Sequence, residues 1–221
     1  MIARSATRSA SPDVTVRVDD ALPFVLATRS AGKLAELRSM AREYGLDVVD
    51  LTAVGLGAED PAEDLLEVHA SFEANARAKA QWFASRLPGR VVIADDSGLV
   101  VAALGGAPGV RSKRWAGSIA TGDALYADNN AALLRALHGA ADRSARFVTV
   151  MVASDGVNEW VSRGECTGRI LDASDGAGGF GYDPLFWSDE LGISFGRAAR
   201  EEKSRVSHRG RAFRSLLARV G

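Results

Sequence analysis

The sharpest chemical signal in the sequence is Asp95-Asp96-Ser97-Gly98, two adjacent carboxylates that close the apolar run Val91 to Ala94. Strand ends in open α/β sheets are where ligand crevices form. Side chains alternate along a strand, so one aspartate is expected to face the crevice while the other holds a turn. Carboxylates at such a place suit Mg²⁺, a hard cation that takes oxygen ligands and shares its shell with water and substrate phosphates. An Asx-turn is the plainer reading of the same four residues. A second signal is Thr28-Arg29-Ser30-Ala31-Gly32-Lys33, which joins a strand to a helix. Backbone N–H groups at that helix start and the Lys33 ammonium would both face an anion. The loop lacks the GxxxxGK[ST] spacing of a Walker A motif, and an ordinary turn with a solvated lysine is the alternative.

Two further segments belong with these. Gly176, Gly178 and Gly181 satisfy GxGxxG, but Asp172 to Asp175 precede them and Tyr182-Asp183-Pro184 follows, so the strand-then-helix context of a dinucleotide site is missing. Phe180, Tyr182, Phe186 and Trp187 instead offer either a stacking face for a planar base or core packing. Lys203, Ser207, His208 and Arg209 stand at or near a helix start, where donors can meet phosphate or base carbonyls. The only lysines, Lys33, Lys79, Lys113 and Lys203, each lie in or beside one of the segments singled out. His69, His138 and His208 match no metal-ligand spacing, and no GxSxG elbow is present, which disfavours a zinc enzyme or a serine hydrolase.

These residues need a frame, and hydrophobic periodicity supplies one. Phe24 to Ala27 reads as a buried strand, followed by a helix through Leu34, Leu37, Ala41 and Tyr44 that Gly45 ends. Leu46 to Val49 is a second strand. Ser71 is expected to cap a helix with Phe72, Ala76, Ala80 and Phe83 on its buried stripe, ending before Pro88-Gly89. Val91 to Ala94 reads as an interior strand that stops at the aspartates, with a separate strand through Leu99 to Leu104. A helix from about Asp123 to His138 follows, then a hairpin whose strands, Phe147 to Ala153 and Val157 to Cys166, flank Asp155-Gly156. A last amphipathic helix begins between Ser204 and Gly210 and carries Phe213, Leu216 and Leu217. Residues 1–22 show no apolar periodicity and no secretory pattern, and are expected to be a disordered extension ahead of a single domain over 23–221.

Composition narrows the function further. The 221 residues are 47% hydrophobic and carry 27 Lys and Arg against 28 Asp and Glu, which excludes a disordered chain and leaves no electrostatic footprint for polymeric nucleic acid or a membrane surface. No stretch approaches the roughly 18 apolar residues of a membrane span. The single Cys166 permits no internal disulfide and is expected to be buried, in keeping with a cytoplasmic protein. Charge is uneven: Glu59 to Glu67 is acidic and Arg205 to Arg214 is basic, and both runs also read as solvated faces.

In order along the chain, LATRSAGKLAEL, SFEANARAKA, ADDSGLVVAALGGAPGVRSKRWAG, Asn129-Asn130, GGFGYDPLF and EEKSRVSHRGRAF resemble the inosine triphosphate pyrophosphatase family from about Phe24 to Leu217. The resemblance implies an elongated α/β fold with two lobes around a long, mixed, twisted sheet flanked by helices, an active-site cleft between the lobes, and a homodimer. It implies hydrolysis of deaminated purine nucleoside triphosphates to monophosphate and pyrophosphate. Thr28, Arg29, Ser30, Ala31, Gly32 and Lys33 would hold the triphosphate, Glu67 and Asp96 would hold Mg²⁺, and Asp96 would also accept the proton. Ser97, Phe180, Gly181, Tyr182, Asp183, Lys203, His208 and Arg209 would contact the nucleotide, with Asn75, Lys79 and Asp95 as further candidates. The sequence departs from the family pattern at Arg29 and Ser30, where glycine and asparagine are usual, and at Ala74, where an acidic residue is common. Those departures keep two alternatives open: a pyrophosphatase for other modified nucleotides, and a weakly catalytic nucleotide-binding protein.

Overall fold

A computed structural model describes residues 22–220; the expected extension, apart from Leu22, lies outside the described residues. The chain alternates early between strand and helix: β1 (Phe24–Leu26), α1 (Ala31–Glu43), β2 (Val48–Asp50), α2 (Phe72–Ala84) and β3 (Val92–Val101). It continues through α3 (Gly122–Ala136), β4 (Ser144–Ser154), β5 (Glu159–Ile170), β6 (Phe186–Ser188), β7 (Ile193–Ser194), α4 (Arg200–Val206) and α5 (His208–Val220). The seven strands form one sheet in the order β2-β1-β3-β4-β5-β6-β7. The β2-β1-β3 pairs are parallel and the rest antiparallel, so the mixed α/β architecture expected from the sequence is present.

The helix ends follow local chemistry. Ser30 caps α1 by accepting from Lys33 N, and Gly45 takes φ +66° just past its end, where a side chain would strain the turn. Ser71 caps α2 by accepting from Ala74 N at 3.1 Å. The expected last helix is α5, which starts at His208, and the short α4 precedes it: Ser207 is extended, and its Oγ accepts from Gly210 N at 3.1 Å, capping α5.

The strand expected to stop at Asp95 does not stop. β3 runs ten residues, straight through Asp95, Asp96, Ser97 and Gly98, and each of those pairs in register with β4, from Asp95 opposite Met151 to Gly98 opposite Val148. No Asx-turn forms there, and the expected separate strand at Leu99 is the continuation of β3. The apolar residues separate along this strand. Val92, Ile93 and Ala94 join two clusters on opposite faces, one with α2 (Ala76, Ala80, Phe83) and one with α1 and α5 (Leu37, Met40, Phe213, Leu216). Leu99 and Val101 join a third cluster with Leu133, Phe147, Phe186 and Phe195. The polar stretch Asp95 to Gly98 therefore lies between two packed ends of the long strands, and Cys166 is buried in the third cluster.

Candidate active site

The topology opens a crevice where the expected residues gather. β1 leads through α1 to β2 on one side, while β3 lies on its other side, so β1 is the point where strand order reverses. It is also short. Its last pair is Leu26 with Ile93, which leaves the edge of β3 beyond Ile93 without a strand partner on that side. The Thr28–Lys33 loop leaves the sheet there, and Lys79 reaches the open edge, its Nζ donating to the Asp95 carbonyl at 2.6 Å.

Alternation then sends the two aspartates to opposite faces, each with its own retinue. On the α2 side, Asp96 Oδ2 accepts from Asn75 Nδ2 at 2.9 Å, and Lys79 Nζ stands 3.8 Å from Asp96 Oδ1 and 2.6 Å from Glu67 Oε1. Asn75 and Lys79 are one turn apart on α2, and Asn75 is itself oriented by accepting from His69 N at 2.9 Å. On the other face, Asp95 Oδ2 meets Lys33 Nζ at 3.1 Å and Arg209 Nε at 3.4 Å. Arg209 also donates to Ser97 Oγ at 2.9 Å and to Glu36 Oε2 at 2.5 Å. Lys203 joins Glu36 at 2.6 Å to Asp183 at 2.5 Å, and Asp183 accepts from Phe180 N at 2.7 Å.

The environments drive the two aspartates apart. Burial raises the Asp96 pKa above the ordinary carboxylate value, and the nearby Lys79 and Lys33 only partly offset it. Asp95 is buried as well, yet Lys33 and Arg209 beside it outweigh that and hold its pKa at about 2. Lys79 is raised despite burial because Glu67, Asp96 and Asp95 surround it, whereas burial outweighs the carboxylates around Lys33 and lowers it. His208 is buried, with its ring stacked 4.7 Å from that of Phe147. Burial first, and then the charges of Arg209 and Lys203, push its pKa well below 6.5, so it is a neutral imidazole, and its Nδ1 has no partner.

The ring of Phe180 lies against Gly32, where a Cβ would come within 2.6 Å of it, so the loop admits only glycine at that point. Lys203 Nζ and Arg209 Cζ are 5.2 and 5.6 Å from the same ring. Beside Phe180 a cavity of about 500 Å³ opens, lined by Asp123, Tyr126, Asn130, Ser174 and Gly178 among others. A larger hollow of about 700 Å³ lies between Phe72 and the Gly106–Arg111 turn, but none of the expected site residues line it.

Most of the expected residues thus converge: Lys33, Glu67, Asn75, Lys79, Asp95, Asp96, Ser97, Phe180, Asp183, Lys203, His208 and Arg209. Thr28, Ser30 and Ala31 form the entry to α1, with Thr28 Oγ1 accepting from Ser30 N at 3.2 Å. Gly181 adopts φ +62° and its carbonyl accepts from Asn130 Nδ2. Two side chains go elsewhere. Tyr182 is buried in the core and its hydroxyl donates to the Ser112 carbonyl at 2.8 Å, so it presents no free hydroxyl to a nucleotide. Arg29 turns to Glu63, which accepts at 2.6 and 2.9 Å, and to three backbone carbonyls, so no donor remains for a phosphate. Glu36, which links Lys203 to Arg209, is not among the residues expected from the sequence. Its one available signal was its place three residues after Lys33, on the same face of α1.

Comparison with known proteins agrees with this arrangement. The model of the Ham1 family matches residues 24–219. A dITP/XTP pyrophosphatase of Acidobacterium capsulatum is 43% identical over 90% of this chain and 98% of that protein, and one of Ralstonia nicotianae is 44% identical over 89% and 96%. Among solved structures, a HAM1 protein from Coxiella burnetii superposes with a TM-score of 0.75 at 33% identity, covering 90% of this chain and 98% of that one. A nucleoside-triphosphatase / dITP/XTP pyrophosphatase from Mycobacterium abscessus gives a TM-score of 0.66 at 37% identity, covering 90% and 100%. The motifs, the sheet and the match over nearly all of the described residues lead to one conclusion: the chain belongs to the Ham1 family.

Proposed function

We propose that this chain hydrolyses deaminated purine nucleoside triphosphates, those of inosine, deoxyinosine and xanthosine, at the bond between the α- and β-phosphates, releasing monophosphate and pyrophosphate. The observation that carries the reading is Asp96 on the open flank of β3, with Asn75 on one oxygen, Lys79 by the other, and Glu67 across Lys79. The names borne by its relatives supply the substrate class.

The donor set fits Mg²⁺. Among the described residues, no group of three or more His, Cys, Asp or Glu could hold an ion by itself. Mg²⁺ commonly takes one or two carboxylates and completes its shell with water and substrate phosphates, which matches Glu67 and Asp96. Charge points the same way. Four cations, Lys33, Lys79, Lys203 and Arg209, face five carboxylates, Glu36, Glu67, Asp95, Asp96 and Asp183, so the site has no surplus positive charge for a triphosphate. When bound by Glu67 and Asp96, Mg²⁺ would neutralise charge on the phosphoryl oxygens.

In this reading the triphosphate lies along the Thr28–Lys33 loop, with Lys33 and Lys79 donating to its oxygens while the cation supplies the missing positive charge. Water attacks the α-phosphorus in line, Asp96 orients it and takes its proton, and pyrophosphate leaves. Phe180 stacks on the base. His208 and Arg209 donate to the O6 acceptor of inosine and xanthosine, whereas adenine presents an N6 donor and would leave those donors unpaired. A cytoplasmic homodimer completes the proposal, and light scattering of the eluting protein checks the assembly.

The test is turnover of deoxyinosine, xanthosine, deoxyguanosine and deoxyadenosine triphosphates with and without Mg²⁺, resolving pyrophosphate from phosphate. Pyrophosphate release is expected only with Mg²⁺, with deoxyinosine favoured over deoxyadenosine by about 100-fold or more. Binding without turnover would favour a nucleotide-binding protein, and turnover of other modified nucleotides alone would move the substrate class.

A further inference from the structure

We propose that Arg29 is a positioning residue that ties the Glu67-bearing segment to the Thr28–Lys33 loop and so sets where the Glu67 carboxylate stands in the cleft. All five guanidinium N–H donors are engaged, and all on that segment. Nε and one terminal nitrogen grip Glu63 Oε2 and Oε1 at 2.9 and 2.6 Å. The remaining three N–H groups donate to the carbonyls of Leu56, Gly57 and Ala58 at 2.8, 3.0 and 3.0 Å. One side chain therefore holds two parts of a stretch that forms no strand and only one 3-10 turn, Pro61–Glu67.

The tie is directed at the site from both ends. Arg29 lies inside the loop that leads from β1 to Lys33. Glu63 is the third residue of the short 3-10 turn that ends at Glu67, and it also accepts from Asp60 N at 3.1 Å, which fixes the start of that turn. Leu66 anchors the same turn in the cluster formed with Ala76, Ala80 and Phe83. Glu67 then reaches Lys79 at 2.6 Å. Fixing Glu63 to Arg29 consequently fixes the spacing between the anion loop and the Glu67 carboxylate. Lysine cannot substitute, because an ammonium has three donors and no planar fork to span a carboxylate and three carbonyls at once. The inference rests on the assignment of Glu67 to the cation.

The experiment uses the full chain with Arg29→Lys and, as a control, Glu67→Gln. Hydrogen exchange of the metal-free protein is read over residues 54–68, together with the Mg²⁺ concentration giving half-maximal turnover of deoxyinosine triphosphate. Arg29→Lys is expected to exchange roughly tenfold faster in that segment while β4 and β5 stay protected. Its Mg²⁺ requirement should rise about 10- to 100-fold, the usual cost of removing a residue that supports a metal ligand, with turnover recovered at saturating Mg²⁺. Unaltered exchange overturns the proposal outright. Faster exchange with an unchanged Mg²⁺ requirement overturns the positioning role. If Glu67→Gln keeps the original requirement, the assignment of Glu67 to the cation fails and the positioning role fails with it, a result distinct from either outcome at Arg29.

Discussion

Asp96→Asn is expected to lower turnover by about 10²- to 10⁴-fold, the range of a positioned acid–base group, while leaving the protein folded. The fold should survive because the asparagine Oδ1 can still accept the Asn75 hydrogen bond. Burial raises the Asp96 pKa, so the carboxylate is less favourable folded than unfolded, and removing its charge relieves that cost. Asp95, the adjacent residue, should behave oppositely. Its pKa falls from 3.8 to about 2 on folding, so its ionisation adds stability that is fully present above pH 3.8 and is lost as pH falls toward 2. At neutral pH, Asp95→Asn is expected to cost about 2 kcal/mol, seen as a lower melting temperature. Paired melting curves and turnover measurements check both variants. Near-normal turnover of Asp96→Asn would remove Asp96 from the chemistry, and equal melting temperatures would contradict the separation of the two faces.

Glu36→Ala carries the largest expected loss of stability. The Glu36 carboxylate bridges Lys203 and Arg209, and those two cations hold its pKa down although burial works against them. Removing it leaves two buried cations sharing Asp183, Asp95 and Ser97. Breaking a buried ion pair by deleting one partner costs about 3 kcal/mol at the low end, which for a chain of this size corresponds to roughly 10 °C in melting temperature. A change under about 2 °C would mean that Lys203 and Arg209 are satisfied without Glu36, and that the network is not a unit. Nucleotide affinity should fall with stability, since the same carboxylate orients both residues proposed to face the nucleotide.

The parts of this site that were legible in sequence are those whose chemistry is local. A cap, a loop and a lysine at the start of a helix announce themselves in Ser30 to Lys33, and Asn75 and Lys79 share a helix face by spacing alone. What was hidden depends on partners far along the chain. β3 continues through Asp95 and Asp96 because β4, about 55 residues later, pairs with every residue of it, and no local pattern predicts a strand through two aspartates. Arg29 resembles a phosphate contact by its place in the loop, yet its direction is set by Glu63, 34 residues away. Tyr182 sits in an aromatic run that suits either a base or a core, and the Ser112 carbonyl decides for the core. The break at Ser207 is a backbone turn inside a helical pattern, and a serine capping three residues on was its only trace.

The proposed attack of water on the α-phosphorus at the Asp96 flank of β3 decides which product takes up the solvent oxygen. Hydrolysis of deoxyinosine triphosphate in ¹⁸O-labelled water, followed by mass spectrometry of both products, reads that out. The label is expected in deoxyinosine monophosphate, with the pyrophosphate unlabelled. Label in pyrophosphate would place the attack on the β-phosphorus, and release of labelled phosphate would place it on the γ-phosphorus; either result would contradict the account.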